Sequence, residues 1–163
     1  MKKKIICLGL MLVISMVLFS ACAEGSKVKY NVGYRGNHNA DSENHSLNRI
    51  VYSIEELDPI CDERYYTIYY GDGSEEKVYY LKEATEKYNE AYFSDKALVL
   101  YLFANGHGAN SMRIKALHKE NETLFISIHD TLRGNAAGAI TYWTFILEVK
   151  KSDVIGITNI KTK

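Results

Sequence analysis

A polar loop from Asn105 to Ser111 has residue types suited to binding, and it lies between two segments with the character of strands. Its candidate binding residues are Gly106, His107, Gly108, Asn110 and Ser111. The two glycines let backbone amides approach a ligand, and loops on a rigid sheet are where binding groups usually lie. Residues 105–111 are therefore a candidate binding loop, although the residue types alone favour a plain turn.

Histidines are the residues that could carry metal or hydrolytic chemistry. His107, His118 and His129 are spaced at intervals that match no common zinc pattern, so we predict no metal site and no cofactor. His129 and Asp130 could serve a surface hydrolase together with an unidentified third group, but the chain has no Gly-x-Ser-x-Gly motif. We therefore predict no catalytic residue and keep an enzyme as the alternative.

The N-terminus has the three parts of a secretory signal, namely lysines at positions 2 to 4, an apolar stretch from Ile5 to Ala21, and Cys22 before a polar segment. Residues 18–22 resemble the lipobox of bacterial lipoproteins, although Phe19 replaces the usual aliphatic residue. The resemblance implies a signal peptide over residues 1–21 and acyl chains, such as palmitate, attached through Cys22. We expect an exported chain anchored by lipid to the outer face of the bacterial cytoplasmic membrane. An uncleaved anchor is the alternative, because the apolar stretch is barely long enough to span a bilayer.

Cys61 is the only thiol that cleavage and lipidation would leave free, which excludes a disulfide within the mature chain. Asp58, Asp62 and Glu63 lie beside it in the sequence and disfavour its thiolate, whereas a nucleophile needs the thiolate. We therefore expect Cys61 to be a small buried hydrophobic residue. A secreted domain without disulfides depends on an ordinary core, and this chain is long enough to bury one.

Composition separates a tether from a folded domain. Gly, Ser, Asn, His and charged residues dominate residues 22–47, so we predict a flexible, lipid-anchored tether there and a β-rich globular domain over residues 48–163. Removing the three N-terminal lysines takes the 20 basic residues to 17 against 20 acidic residues, a formal net charge of −3. No clustered basic face is evident, which argues against a nucleic-acid partner.

The first elements of the domain are a strand and a helix. Arg49–Ser53 is the strand candidate. Ser53 and Glu56 have the capping-box spacing, which predicts a short helix from Ile54 onward. Pro59 is expected to end or distort this helix.

The rest of the domain has strand character with one helical interruption. Tyrosine-rich segments around Gly71–Ser74 predict a β-hairpin over Arg64–Leu81. Apolar residues at helical spacing in Lys82–Phe93 predict an amphipathic helix of about three turns. Further strands are predicted at Ala97–Phe103, Met112–Leu117, Leu124–Ile128, Thr141–Val149 and Ile157–Ile160. The expected fold class is α+β: a mostly antiparallel β-sheet or sandwich with one principal amphipathic helix, preceded by an N-terminal signal helix.

The order of strands and loops from Ala97 to Lys151 resembles that of small lipoproteins of Gram-positive bacteria. It is more distantly similar to the C-terminal domain of the protease-complex subunit PrcB and to chagasin-type cysteine-protease inhibitors. Those inhibitors present a Gly-containing loop and a later aromatic residue together to a protease. The resemblance implies that Gly106 to Ser111 and Trp143 lie at one binding edge. The chain has neither an Asn-Pro-Thr-Thr-Gly-Tyr loop nor an Arg-Pro before Trp143, so inhibition itself is not implied.

These features favour a lipid-anchored, extracytoplasmic protein- or peptide-binding module without catalytic activity. It would contact an envelope partner through residues 105–111 and neighbouring strand edges. The alternatives are a cell-surface hydrolase and an envelope protein that binds glycans through the tyrosines of residues 65–80.

Overall fold

The structure is a computed structural model that describes residues 25–38, 45–106, 111–130 and 140–163. The strands in these ranges are β1 (Ser26–Val28), β2 (Tyr30–His38), β3 (Leu47–Val51), β4 (Tyr66–Tyr69), β5 (Glu75–Val78), β6 (Lys96–Asn105), β7 (Met112–Glu120), β8 (Thr123–Asp130), β9 (Thr141–Lys150) and β10 (Asn159–Thr162). The helices are α1 (Ile54–Glu63), α2 (Tyr80–Thr85), a 3-10 turn (Tyr92–Ser94) and α3 (Lys151–Val154).

Two four-stranded sheets and one hairpin contain all of these strands. The central sheet has the order β2-β9-β6-β3, and every neighbouring pair is antiparallel. The outer sheet has the order β1-β7-β8-β10, in which only β10 and β8 run parallel. Strands β4 and β5 pair only with each other in the described residues. The prediction of a mostly antiparallel, β-rich α+β fold is confirmed.

Strand β6 explains the layering, because its continuous apolar run serves two cores. Ala97, Val99 and Tyr101 pack with residues of the outer sheet. Leu98, Leu100 and Leu102 alternate with them and pack against α1, α2 and the 3-10 turn on the other side. The central sheet is thus covered on one face by the outer sheet and on the other by a helical layer. The strand predicted at Ala97–Phe103 is confirmed as one buried on both faces.

Strands β1 and β2 lie in the segment predicted to be a tether, so that prediction is wrong for residues 26–38. Strand β2 pairs with β9 along its length, from Tyr30 opposite Val149 to His38 opposite Tyr142. Val28 is buried in the core between the sheets. Backbone pairing and a few buried side chains therefore order a segment whose composition is poor in aliphatic residues. The folded domain begins no later than Ser26 rather than at Asn48.

Helix α1 starts as predicted and continues further than predicted. The side chain of Ser53 accepts a hydrogen bond from the backbone N–H of Glu56 and caps the helix. Pro59 lies inside α1, which continues to Glu63, so of the two predicted effects of Pro59, ending or distorting the helix, the first is wrong. Pro59 is exposed, so water can satisfy the carbonyl that loses its helical partner.

The amphipathic helix predicted over Lys82–Phe93 is also wrong in extent, because α2 ends at Thr85. The hydroxyl of Thr85 donates to the carbonyls of Leu81 and Lys82. These side-chain bonds compete with the backbone bonds that would continue the helix. Asn89 then accepts from the backbone N–H of Tyr92 and starts the separate 3-10 turn. The apolar spacing does not make one helix: Tyr88, in the segment after α2, and Phe93, in the 3-10 turn, are both buried on the central sheet.

The predicted hairpins are confirmed. Strands β4 and β5 flank a turn in which Gly73 has φ +85°, a conformation that favours glycine. Strands β7 and β8 flank Asn121, which has φ 53°. The predicted signal helix and Cys22 lie outside the described residues. In the ranges described, no helix is long and apolar enough to cross a membrane.

Candidate functional site

One end of the sandwich, here called the loop end, is marked by His38, Asn105, Met112, Asp130 and Thr141. Asn105, at the end of β6, lies opposite Thr141 at the start of β9. Met112, at the start of β7, lies opposite Asp130 at the end of β8. The Asn105 side-chain amide donates to the Met112 sulfur at 3.9 Å, which links the two sheets here. Strands of both sheets therefore begin or end together at the loop end.

The predicted binding loop leaves and rejoins the described chain at the loop end. Gly106 is exposed, and a Cβ at that position would meet open space. Ser111 is half-buried. His107, Gly108 and Asn110 lie outside the described residues.

Trp143 does not lie at a binding edge, so that prediction is wrong. Its side chain is 3% exposed and packs in the core between the two sheets, where it stacks on Phe145 at 6.0 Å between ring centroids. Alternation along β9 explains the error, because Trp143, Phe145 and Leu147 share the face that meets the outer sheet. Trp143 therefore stabilises the sandwich below its surface.

A cluster of aromatic rings, missed by the sequence analysis, lies against the central sheet at the loop end. This ring cluster consists of His38, His45, Tyr66, Tyr80 and Tyr142. The His38 ring stacks on Tyr66 at 4.7 Å and on Tyr142 at 5.3 Å between centroids. It also meets the edge of the His45 ring at 5.0 Å. The cluster joins β2, the hairpin β4–β5 and α2 to the start of β9.

His45 is almost fully buried, and its hydrogen bonds define its tautomer. Its Nε2 lies 2.9 Å from the carbonyl oxygen of Trp143, so Nε2 carries the proton and donates. Its Nδ1 then accepts from the Tyr80 hydroxyl at 3.2 Å. Burial lowers the pKa of His45, the hydrogen bond to Trp143 opposes that change, and the positive charge of Arg64 lowers the pKa further.

His38 is held neutral as well. Burial, with a smaller contribution from His45, lowers the pKa of His38 to about 4. Its buried Nε2 has no hydrogen-bond partner within the described part of the chain, nor do Nε and Nη1 of Arg64. The ring cluster is thus a neutral aromatic assembly that resists taking up protons.

The histidines named by the sequence analysis do not come together. His118 lies opposite Phe125, four residues along β8 from His129, which is about 13 Å at the rise of an antiparallel strand. His129 alternates with the inward-facing Ile126 and Ile128, so it lies on the outer face of the outer sheet. The described residues contain no cluster of His, Cys, Asp and Glu that could hold a metal ion.

No known family, curated protein or solved structure matches this chain. The likeness to Gram-positive lipoproteins, to the PrcB domain and to chagasin-type inhibitors therefore stays a prediction.

The outer face of the β4–β5 hairpin carries a second group of aromatic side chains. Tyr65 and Tyr79 lie 5.5 Å apart between ring centroids, and the Lys77 ammonium lies 4.2 Å from the Tyr65 centroid. Tyr69 is 77% exposed. Exposed tyrosine rings can stack on sugars, so this face of the hairpin is where a glycan would bind under that hypothesis. Glycan binding stays a prediction.

Cys61 is a free, buried thiol that lies 3.4 Å from the Thr85 hydroxyl, as the sequence analysis expected of a small buried residue. Burial raises its pKa, and the carboxylates of Asp58 and Asp62 raise it further against the opposing effects of Thr85 and Lys82. The thiol is therefore kept protonated rather than activated.

Proposed function

We propose that this protein is an exported lipoprotein, held by lipid on Cys22 at the outer face of the bacterial cytoplasmic membrane. Its sandwich binds a protein or peptide partner through residues 105–111 and the neighbouring strand edges, without catalysis. The observation that carries this proposal is the meeting of both sheets at the loop end. A rigid two-sheet frame there supports the connection with the candidate binding residues, which is how sandwich domains commonly present binding loops.

Strand β2 supports a role for the adjoining edge. Among the described strands it lies at the edge of the central sheet, and its last residue, His38, is one of the residues that mark the loop end. An edge strand offers backbone donors and acceptors to an extended peptide, which can add as a further strand. A partner that contacts the loop could therefore extend its contact along β2.

Replacing residues 106–111 by Ala-Ser-Ala-Ser-Ala-Ala is expected to abolish capture of the envelope partner. The reason is that the variant keeps the length of the connection between β6 and β7, which lie in different sheets, and loses the proposed contact residues. The measurement is a pull-down from solubilised cell envelope with full-length protein, scored by mass spectrometry. Replacing Gly71, Asp72 and Ser74 by Ala, Ser and Ala at constant length, in the turn of the separate hairpin, is the matched control and should keep the partner. A partner that survives the first replacement, or no reproducible partner at all, contradicts the proposal.

Lipid attachment is tested separately. Intact-mass measurement of membrane-extracted protein should find a mature chain that begins at Cys22 and carries acyl chains. The variant Cys22→Ala should lose both the acyl mass and the cleavage, because the modified thiol is what the lipobox presents for processing. A wild-type chain with another N-terminus and no fatty acid would contradict anchoring. The alternative of an uncleaved anchor predicts residues 1–21 in the measured mass.

A further inference from the structure

A cleft of about 450 Å³ lies between α1 and α2. Residues at helical spacing on α1 form one wall, and the facing residues of α2 with the following turn form the other. Its floor is buried and largely apolar, with Leu57, Cys61 and Tyr88 each at most 5% exposed. This volume lies within the range of sites that hold small molecules or peptide side chains.

The rim of the cleft is acidic. Asp58, Asp62, Lys82 and Glu86 line it, and all four are exposed. Lys82 pairs with Asp62 at 2.8 Å, so these two charges offset each other. Within the described ranges, Asp58 and Glu86 form no ion pair, which leaves one unopposed carboxylate on each wall of the cleft.

The pKa of Cys61, on the floor of the cleft, is affected by the same negative charges. After burial, the largest effects that raise the pKa of its thiol come from Asp58 and Asp62. These carboxylates therefore act on the floor as well as on the surrounding water. A group that enters the cleft meets apolar surface below and negative charge above.

We propose that this cleft binds the side chain of an arginine or lysine from a peptide partner. The methylene stem would lie on Leu57 and Cys61, and the cationic head would lie between Asp58 and Glu86. Long basic side chains combine an apolar stem with a charged end, which matches the arrangement of floor and rim. The inference goes beyond the proposed function, because no residue that lines the cleft belongs to residues 105–111 or to a strand.

The test is a chemical-shift titration of ¹⁵N-labelled full-length protein in detergent micelles with the peptide acetyl-Leu-Arg-Leu-amide. We expect shifts concentrated in α1 and α2. Substituting citrulline for arginine removes the charge at nearly constant shape and should weaken binding by about tenfold. The double variant D58N/E86Q should weaken binding of the arginine peptide by a similar factor.

The matched control is E63Q/E90Q, which removes the same number of charges at exposed positions outside the cleft. It should change the affinity less than twofold. Absence of saturable shifts in α1 and α2, or equal losses in both double variants, would overturn the inference. Shifts confined to the residues around 105–111 would also overturn it while supporting the proposed function, so the two failures are distinguishable.

Discussion

Replacing Glu148 with alanine is expected to lower the free energy of unfolding by about 2 to 3 kcal/mol. Glu148 lies on β9 and is 18% exposed in its side chain. Its Oε1 accepts from the Tyr88 hydroxyl and from the Lys87 ammonium, each at 2.9 Å. Lys87 also donates to the carbonyl of Gly33 at 3.2 Å. One carboxylate thus joins the helical layer to two strands of the central sheet.

The pKa shifts of Glu148 and Tyr88 agree with this geometry. Burial raises the pKa of Glu148, but hydrogen bonds from Lys87 and Tyr88 outweigh it and lower the pKa overall. Burial and the bond to Glu148 raise the pKa of Tyr88. Tyr88 is 3% exposed, so loss of Glu148 leaves a buried hydroxyl without its acceptor, and that is the main cost of the alanine variant.

A double-mutant cycle makes this prediction specific. In the wild-type background, Tyr88→Phe should cost about 1 to 2 kcal/mol, because a hydrogen bond to a charged acceptor is lost. In the Glu148→Ala background the same change should stabilise the protein, because it removes the unsatisfied hydroxyl. Urea unfolding of the four proteins measures the cycle. Additive effects of the two substitutions would contradict the role given to Glu148.

The ion pair between Lys82 and Asp62 serves as a comparison for Glu148. Its N–O distance of 2.8 Å is similar to the 2.9 Å between Lys87 and Glu148. Both of its side chains are more than half exposed. Asp62→Ala should therefore change stability by at most about 0.5 kcal/mol. A loss as large as that of Glu148→Ala would show that burial does not explain the difference.

Strand pattern made most of the sheets predictable. The apolar run of β6 and the alternation of β7 and β8 each carry their own signal of period and burial. Strand β2 carries no such signal, because Asn31, Arg35 and Asn37 face solvent and Gly33 occurs at a bulge. Its place in the central sheet is decided by β9, more than one hundred residues further along the chain. Local composition cannot report a pairing of that kind.

The site was predictable only in part for the same reason. The loop at residues 105–111 could be located because it separates two recognisable strands. Trp143 was placed at an edge by resemblance, whereas its position in β9 points it into the core. His38 and His45 could have been found only by assigning β2 first, since alternation along that strand then puts His38 on the same face as Tyr34. Their contact with Tyr66 and Tyr80 depends on how the hairpin and α2 pack.

Acidification is expected to destabilise this protein through the ring cluster, and His38→Phe is expected to remove most of that effect. In the unfolded chain His38 takes up a proton near its ordinary pKa of 6.5, whereas in the fold it does so only at about 4. The stabilisation from a neutral His38 is therefore complete above pH 6.5 and is lost as pH falls toward 4. The loss from this one group amounts to about 2 to 3 kcal/mol.

The variant His38→Phe tests the role of His38, because phenylalanine keeps an aromatic ring in the stack and cannot take up a proton. The ring at position 38 would still lie between Tyr66 and Tyr142, and the unpartnered Nε2 would be gone. At pH 7 the variant should be as stable as the wild type or slightly more stable. At pH 4.5 it should be the more stable protein by about 2 kcal/mol, measured by urea unfolding at both pH values.

The control is Asn37→Phe, which places the same side chain at the neighbouring exposed position of β2. It leaves both imidazoles in place and should keep the wild-type dependence on pH. The lowered pKa values of His38 and His45 mean that the fold disfavours the charged form of both rings. If the wild type and His38→Phe lost stability in parallel between pH 7 and pH 4.5, the acid sensitivity would have to come from groups other than His38.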